Sequence, residues 1–169
     1  MNKISNWVKY CIEKISIKKG VALDLACGKG RHSIYLSKLG FCVFSVDINK
    51  ESFKYFSEKN ITKLLKDIEN KNSWPLVEHK FDIIVVTNFL NRTIFPMIIN
   101  SLNKGGFLIY ETFSEGHEKI GKPTNPKYIL QSGELILLCS QLSLIAYEEI
   151  NVKCHSNHSF KQRIISLNV

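Results

Sequence analysis

The sequence predicts an α/β fold, a doubly wound and mostly parallel sheet that ends in an antiparallel strand pair. Three observations carry the prediction. Short apolar runs at residues 21–25, 41–46 and 81–86 alternate with helix-patterned segments, the order that crossover connections between parallel strands produce. The runs are nearly continuous in apolar character, as in strands covered on both faces. The C-terminal region instead sets two apolar runs, 144–152 and 162–167, around the polar stretch 153–161, which reads as an antiparallel pair.

In chain order, Trp7, Val8, Cys11, Ile12 and Ile15 recur at spacings of three and four, so residues 2–17 form an amphipathic helix, and 1–19 is an N-terminal helical segment. Lys18, Lys19 and Gly20 stop it. Strand one is 21–25, the first crossover helix 31–39, and strand two 41–46, ending in Asp47. Asn49 caps a second helix through Glu51, Phe53, Phe56 and Lys59, and a short third strand at 61–65 leads to Asp67. Residues 70–79 are a polar connection with Trp74 as an anchor. The β-branched run 81–86 is strand four, followed by a helix over 92–102, a turn at Asn103 to Gly106, and strand five at 107–110. Residues 113–131 hold two glycines and two prolines without periodicity, the character of a substrate loop. Ser132 then caps a helix carrying Leu135, Leu138 and Leu142.

The 169 residues suit one domain, 1–169. No apolar run nears the ~20 residues of a membrane span, and Lys3, Lys9, Glu13 and Lys14 interrupt any signal core. The expectation is a cytoplasmic protein with no membrane partner. The net charge of +8 comes mainly from scattered lysines with no arginine-rich, aromatic-interleaved stripe, which disfavours nucleic acid as a partner. Cys11, Cys27, Cys42, Cys139 and Cys154 include no close pair, so neither a zinc site nor a disulfide framework is expected. His32, His155 and His158 have no metal-triad spacing, and no metal is expected. Monomer and homodimer both stay open.

Asp24-Leu25-Ala26-Cys27-Gly28-Lys29-Gly30 joins strand one to the first helix, and a glycine turn there lets a ligand approach the backbone closely. A dinucleotide site would continue G-x-G-x-x-G, but Ser33 takes the third position. S-adenosylmethionine fits better. Asp24 would face its amino group, Asp47 its ribose hydroxyls, and Asp67 the adenine amine, with Ile48 and Ile68 covering the ring. Ala26, Cys27, Gly28, Gly30 and Thr87 complete the cofactor set.

These motifs resemble the class I S-adenosylmethionine-dependent methyltransferases over nearly the whole chain. Residues 24–30 look like the family's D-x-G-x-G-x-G motif with Ala26 at its first glycine, where a left-handed backbone would cost alanine about 1 kcal/mol or more. Phe81-Asp82-Ile83-Ile84 resembles the fourth strand, and Leu102 with Gly105-Gly106 the L-x-x-G-G turn before the fifth. Gly30-Arg31-His32-Ser33 with Tyr35-Leu36 is similar to the small, free-standing branch that includes tellurite-resistance-type methyltransferases. The resemblance implies a Rossmann-like fold, S-adenosyl-L-methionine as cofactor, S-adenosyl-L-homocysteine as product, and a small-molecule methyl acceptor.

The methyl of a sulfonium is already activated, so orientation supplies most of what the protein must add, and a base is needed only when the acceptor sheds a proton. Glu111, Arg92 and Asn88 are the catalytic candidates. Asn91, Arg92, Glu111, Thr112, His117 and Tyr128 are the substrate candidates, with Lys122 beside them, and Arg92 would fix an acidic acceptor. His32 stands beside the turn, lining the pocket or packed in the core. Three other readings stay open: a noncatalytic cofactor-binding or scaffold protein, an RNA or protein methyltransferase, and an NAD-dependent oxidoreductase.

Overall fold

The apolar runs become seven strands of one sheet in the computed structural model, which describes residues 3–69, 74–154 and 157–169. These are β1 (Val21–Leu25), β2 (Cys42–Asp47), β3 (Ile61–Leu65), β4 (Phe81–Thr87), β5 (Leu102–Phe113), β6 (Ser143–Cys154) and β7 (Asn157–Leu167). Their order is β3-β2-β1-β4-β5-β7-β6. Pairing is parallel as far as β5, and β7 then runs antiparallel to both β5 and β6. The predicted topology is the observed one.

Both faces of the sheet are covered, which is why its central strands lack polar alternation. Leu23, Leu25, Ile84, Val86, Leu108 and Tyr110 pack on one side with α3 (Phe95–Asn100) and α4 (Glu134–Leu138). Ala22, Ile83, Val85 and Ile109 pack on the other with α1 (Asn6–Lys14) and α2 (Arg31–Lys38). Each large aliphatic side chain so buried contributes about 1.5–3 kcal/mol of transfer free energy. Among the described residues no helix is long and apolar enough to cross a membrane.

Several local expectations need correction. The first helix is shorter than 2–17. Ser5, whose Oγ accepts from the Val8 amide at 3.4 Å, caps it, and Ile15 is already extended; residue 2 lies outside the described set. The segment after Asn49 is a 3-10 turn, Lys50–Tyr55, not an α-helix, although Asn49 caps it as expected through the Glu51 amide. The helix expected over 92–102 splits into a 3-10 turn, Arg92–Ile94, and α3, with Pro96 in the first turn of α3. The turn at Asn103 to Gly106 is absorbed into a longer β5, where the register with β4 shifts between Phe81 and Ile83. Ser132 does not cap α4. Gly133, at φ 70°, holds that position, and the Ser132 hydroxyl donates to Glu149 instead. The last two strands extend through most of the polar stretch 153–161. The expected connection at 70–79 is described only from Trp74 onward, and His155 lies outside the described residues.

Residues 113–131 form a closed excursion. Ser114 bridges Leu130, the Leu130 amide donates to Phe113 O at 3.0 Å, and two 3-10 turns, His117–Lys119 and Pro126–Tyr128, occupy the interior.

Candidate active site

The strand order reverses between β1 and β4, and in such sheets ligands bind outside the carboxyl ends of the strands at that switch. Two cavities open there and share Ala26 as a wall. The first, about 620 Å³, is lined by Ala26, Cys27, Gly28, Lys29, Arg31, Ser52, Tyr55, Thr87 and Asn88. The second, about 340 Å³, is lined by Ala26, Asp47, Ile48, Asp67, Ile68, Glu69, Phe89 and Tyr128. Their polarities differ. The first is walled by the cations Lys29 and Arg31 and no acid, the second by three acids and no cation.

The turn between β1 and α2 makes this cleft. Ala26 and Gly28 have φ of 54° and 51°, and a Cβ built on Gly28 meets nothing within 4 Å, so the backbone there faces open space. Ala26 adopts the left-handed conformation without being glycine, a cost of about 1–2 kcal/mol. Asp47 fixes the turn, its Oδ2 accepting from the Gly28 amide at 2.7 Å and its Oδ1 from the Asn49 amide at 2.8 Å. Asp67 accepts from the Glu69 amide at 2.9 Å. Ile48 stands 68 % exposed at the rim while Ile68 is buried, so the former has apolar surface to offer a flat ligand.

Asp24 is placed differently from its neighbours in the motif. It is buried, its Oδ2 accepts from both the amide and the hydroxyl of Ser33 at 2.9 and 2.6 Å, and Ser45 donates in turn to the Ser33 hydroxyl. Burial raises its pKa to about 6, against the pull of the Ser33 bonds. Ser33, the residue that breaks the third glycine position, is therefore the partner that ties β1 to α2. His32 is also buried. Its Nε2 accepts from the Ser5 amide at 3.3 Å, its Nδ1 lies 3.9 Å from Asp24 Oδ1, and burial with Arg31 and Lys161 nearby lowers its pKa to about 3. Burial raises the Cys27 thiol well above its usual range.

The structure thus gathers Ala26, Cys27, Gly28, Thr87 and Asn88 around one lobe and Asp47, Ile48, Asp67, Ile68 and Tyr128 around the other. Gly30 caps α2 at φ 70°. Asn91 caps the turn after β4 through the Thr93 amide. Arg92 is not brought to the cleft. It forms a bidentate pair with Glu134, at 2.5 and 2.8 Å, and donates to the carbonyls of Lys127 and Ile129 at 2.7 and 2.9 Å. Glu111 is buried behind Asn88, where Lys161 Nζ meets its Oε1 at 2.9 Å, Ser5 Oγ donates to the same oxygen at 3.2 Å, and Arg163 stands 3.9 Å from Oε2. Thr112 is buried with its hydroxyl unpaired. His117 lies on a separate cavity with Lys122, stacked on Phe113 at 4.2 Å, its Nε2 donating to the Lys122 carbonyl. Among the described residues no three His, Cys, Asp or Glu side chains are grouped to hold a metal.

Sequence reasoning missed Lys29, Arg31, Ser52 and Tyr55 on the first lobe, Glu69 and Phe89 on the second, and Lys161 behind Asn88. Lys161 and Arg163 alternate on β7, and Arg163 pairs in register with Glu111. That alternation was the available signal, and it was obscured because the strand begins earlier than its apolar run.

Residues 3–165 match the family described as tellurite resistance protein TehB. The chain is 40 % identical over 98 residues to the "Probable S-adenosyl-L-methionine-dependent methyltransferase TehB" of Haemophilus influenzae, covering 50 % of this chain and 33 % of that protein. A ribosomal protein L11 methyltransferase of Campylobacter concisus is 29 % identical over 121 residues, covering 67 % of this chain and 42 % of its own length. The chain thus spans less than half the length of either curated relative. The crystal structure of TehB from Haemophilus influenzae superposes with a TM-score of 0.81 at 26 % identity, over 98 % of this chain and 63 % of that one. Through its sheet order, its motif turn and this match over 3–165, the chain belongs to the TehB family of class I S-adenosylmethionine-dependent methyltransferases.

Proposed function

We propose that this chain transfers the methyl group of S-adenosylmethionine to a small-molecule acceptor by direct in-line displacement. The observation that carries the reading is the paired polarity of the two lobes that meet at Ala26. The acidic lobe suits hydrogen-bond donors, the ribose hydroxyls at Asp47 and the adenine amine at Asp67, with Ile48 and Ile68 against the ring. The basic lobe suits the carboxylate of an amino-acid tail lying on the open face of Gly28. When bound, the sulfonium supplies an activated methyl group.

The chain's own residues then bind, orient and exclude water. Tyr128, carried by the 113–131 excursion, closes the second lobe. Thr87 and Asn88 wall the first, beside the open face of Gly28. Glu111, held by Lys161 and Ser5, supports that wall from behind, and Arg92 anchors the excursion that carries Tyr128. Asp24 acts through Ser33 on the shape of the turn. A protein acceptor is the second reading, favoured by the likeness to the ribosomal protein L11 methyltransferase.

Calorimetric titration with S-adenosylmethionine, S-adenosylhomocysteine and the oxidised and reduced nicotinamide dinucleotides tests the cofactor. Micromolar binding of the first two alone is expected, with Asp47→Ala abolishing most of it. Binding of a dinucleotide instead would overturn the reading, and release of S-adenosylhomocysteine with a protein but with no small acceptor would move it to the second.

A further inference from the structure

Lys161 stands behind the Asn88 wall of the first lobe, where β4, β5 and β7 lie side by side. From β7 its ammonium reaches Asn88 Oδ1 at 2.8 Å, beyond β4, and Glu111 Oε1 at 2.9 Å, on β5. The Lys161 and Glu111 side chains are only 12 % and 6 % exposed, so the pair is shielded and geometrically fixed. Asn88 is itself constrained. Its φ is 54° and its amide donates to the Glu111 carbonyl at 2.8 Å.

An ammonium has three donors and no acceptor, so the carboxamide atom it touches must be the oxygen. The remaining end of Asn88 is then the NH2 group, and Asn88 lines the first lobe. Resting on the cofactor reading above, we propose that Lys161 is a positioning residue. It turns the Asn88 carboxamide so that the lobe is offered N–H rather than oxygen, and so selects a ligand oxygen at that wall. Lys29 and Arg31 line the same lobe with no acid among its walls, so the oxygen that fits is a carboxylate, and the amino-acid end of the cofactor carries one. Glu111 serves as the counter-charge that keeps the ammonium in place.

The test compares S-adenosylhomocysteine with 5′-methylthioadenosine, which keeps the adenosine and thioether but lacks the amino-acid end. Asn88→Gly, which tolerates the left-handed backbone, should weaken the first about tenfold, the scale of a hydrogen bond to a charged group, and leave the second unchanged. Lys161→Met should show the same selective loss, and Lys161→Arg, which restores a donor without an acceptor, should recover most of it. Equal binding of both ligands by all variants would overturn the proposal. So would parallel weakening of both, the mark of a merely structural role, or a Lys161→Arg variant no better than Lys161→Met. A wild-type chain that binds neither ligand is a different result; it removes the cofactor reading and this proposal with it.

Discussion

Replacing Arg92 by alanine separates an anchoring role from a role at the acceptor. The guanidinium makes a bidentate pair with Glu134 and two bonds to the carbonyls of Lys127 and Ile129. With 35 % of the side chain exposed, the ion pair contributes at most about 1 kcal/mol. Each bond to a backbone carbonyl contributes about 1 kcal/mol more, so Arg92→Ala should lose ~3 kcal/mol. At about 2–4 °C per kcal/mol for a domain of this size, Tm should fall by roughly 6–12 °C. Glu134→Gln should give part of the same loss, and the double variant less than the sum, because the two side chains share one interaction. Binding of S-adenosylhomocysteine should suffer only through Tyr128, which lies between the two carbonyls that Arg92 holds and lines the second lobe. Thermal melts and calorimetry on the three variants measure both effects. An unchanged Tm together with lost methyl transfer would refute the anchoring argument and return Arg92 to the acceptor.

Two further outcomes follow from the turn and the strand behind it. A Cβ on Gly28 meets nothing within 4 Å whereas one on Gly30 comes within 2.4 Å of the Phe56 ring; Gly28→Ala should therefore block the cleft at a stability loss of about 1–2 kcal/mol, while Gly30→Ala should lose more by displacing Phe56. Equal melting temperatures in the two variants would contradict this. Native Asp24 takes up a proton as pH falls through about 6, well above its ordinary 3.8, so its raised pKa favours the folded state on acidification, a contribution lost as pH rises through 6. His32 acts oppositely, its pKa lowered from 6.5 to about 3, so that stability present above 6.5 is lost as pH falls. Asp24→Asn removes the opposing contribution, and urea unfolding between pH 6.5 and 4 should show a steeper loss than in the wild type; parallel profiles would count against the burial of Asp24 as the cause.

What could be read in the sequence was set by how local its physical cause is. Strand positions followed from apolar runs, because two-sided burial leaves the same mark wherever a strand is central, and β1 falls on its expected residues; the half-exposed edge strand β3 does so as well. The lining of the second lobe was legible for a related reason: Asp47 ends β2 with Ile48 next to it, Asp67 and Ile68 stand just beyond β3, and the strand ends alone place them. Arg92 and Ser132 were assigned by the same logic of position, yet their partners, Glu134 and Glu149, come from elements far along the chain, and no local pattern encodes such a choice. Helix extents failed where a cap or proline acts, at Ser5 and Pro96.

The Asn88 wall of the first lobe was least legible because it is assembled from four separate regions, with Ser5, Asn88, Glu111 and Lys161 joined only in three dimensions. Glu111 is buried and Asn88 is exposed, and what these residues have in common is that each is held by another. A site of this kind is pre-set before ligand arrives, so its side chains lose little freedom on binding. The second lobe differs, with Ile48 largely exposed at its rim, and ordering that side chain on a flat ligand draws on the binding free energy. The two halves of the cleft should accordingly respond differently to mutation. Changes at the Asn88 wall of the first lobe should act through orientation, and changes at the second lobe through contact area.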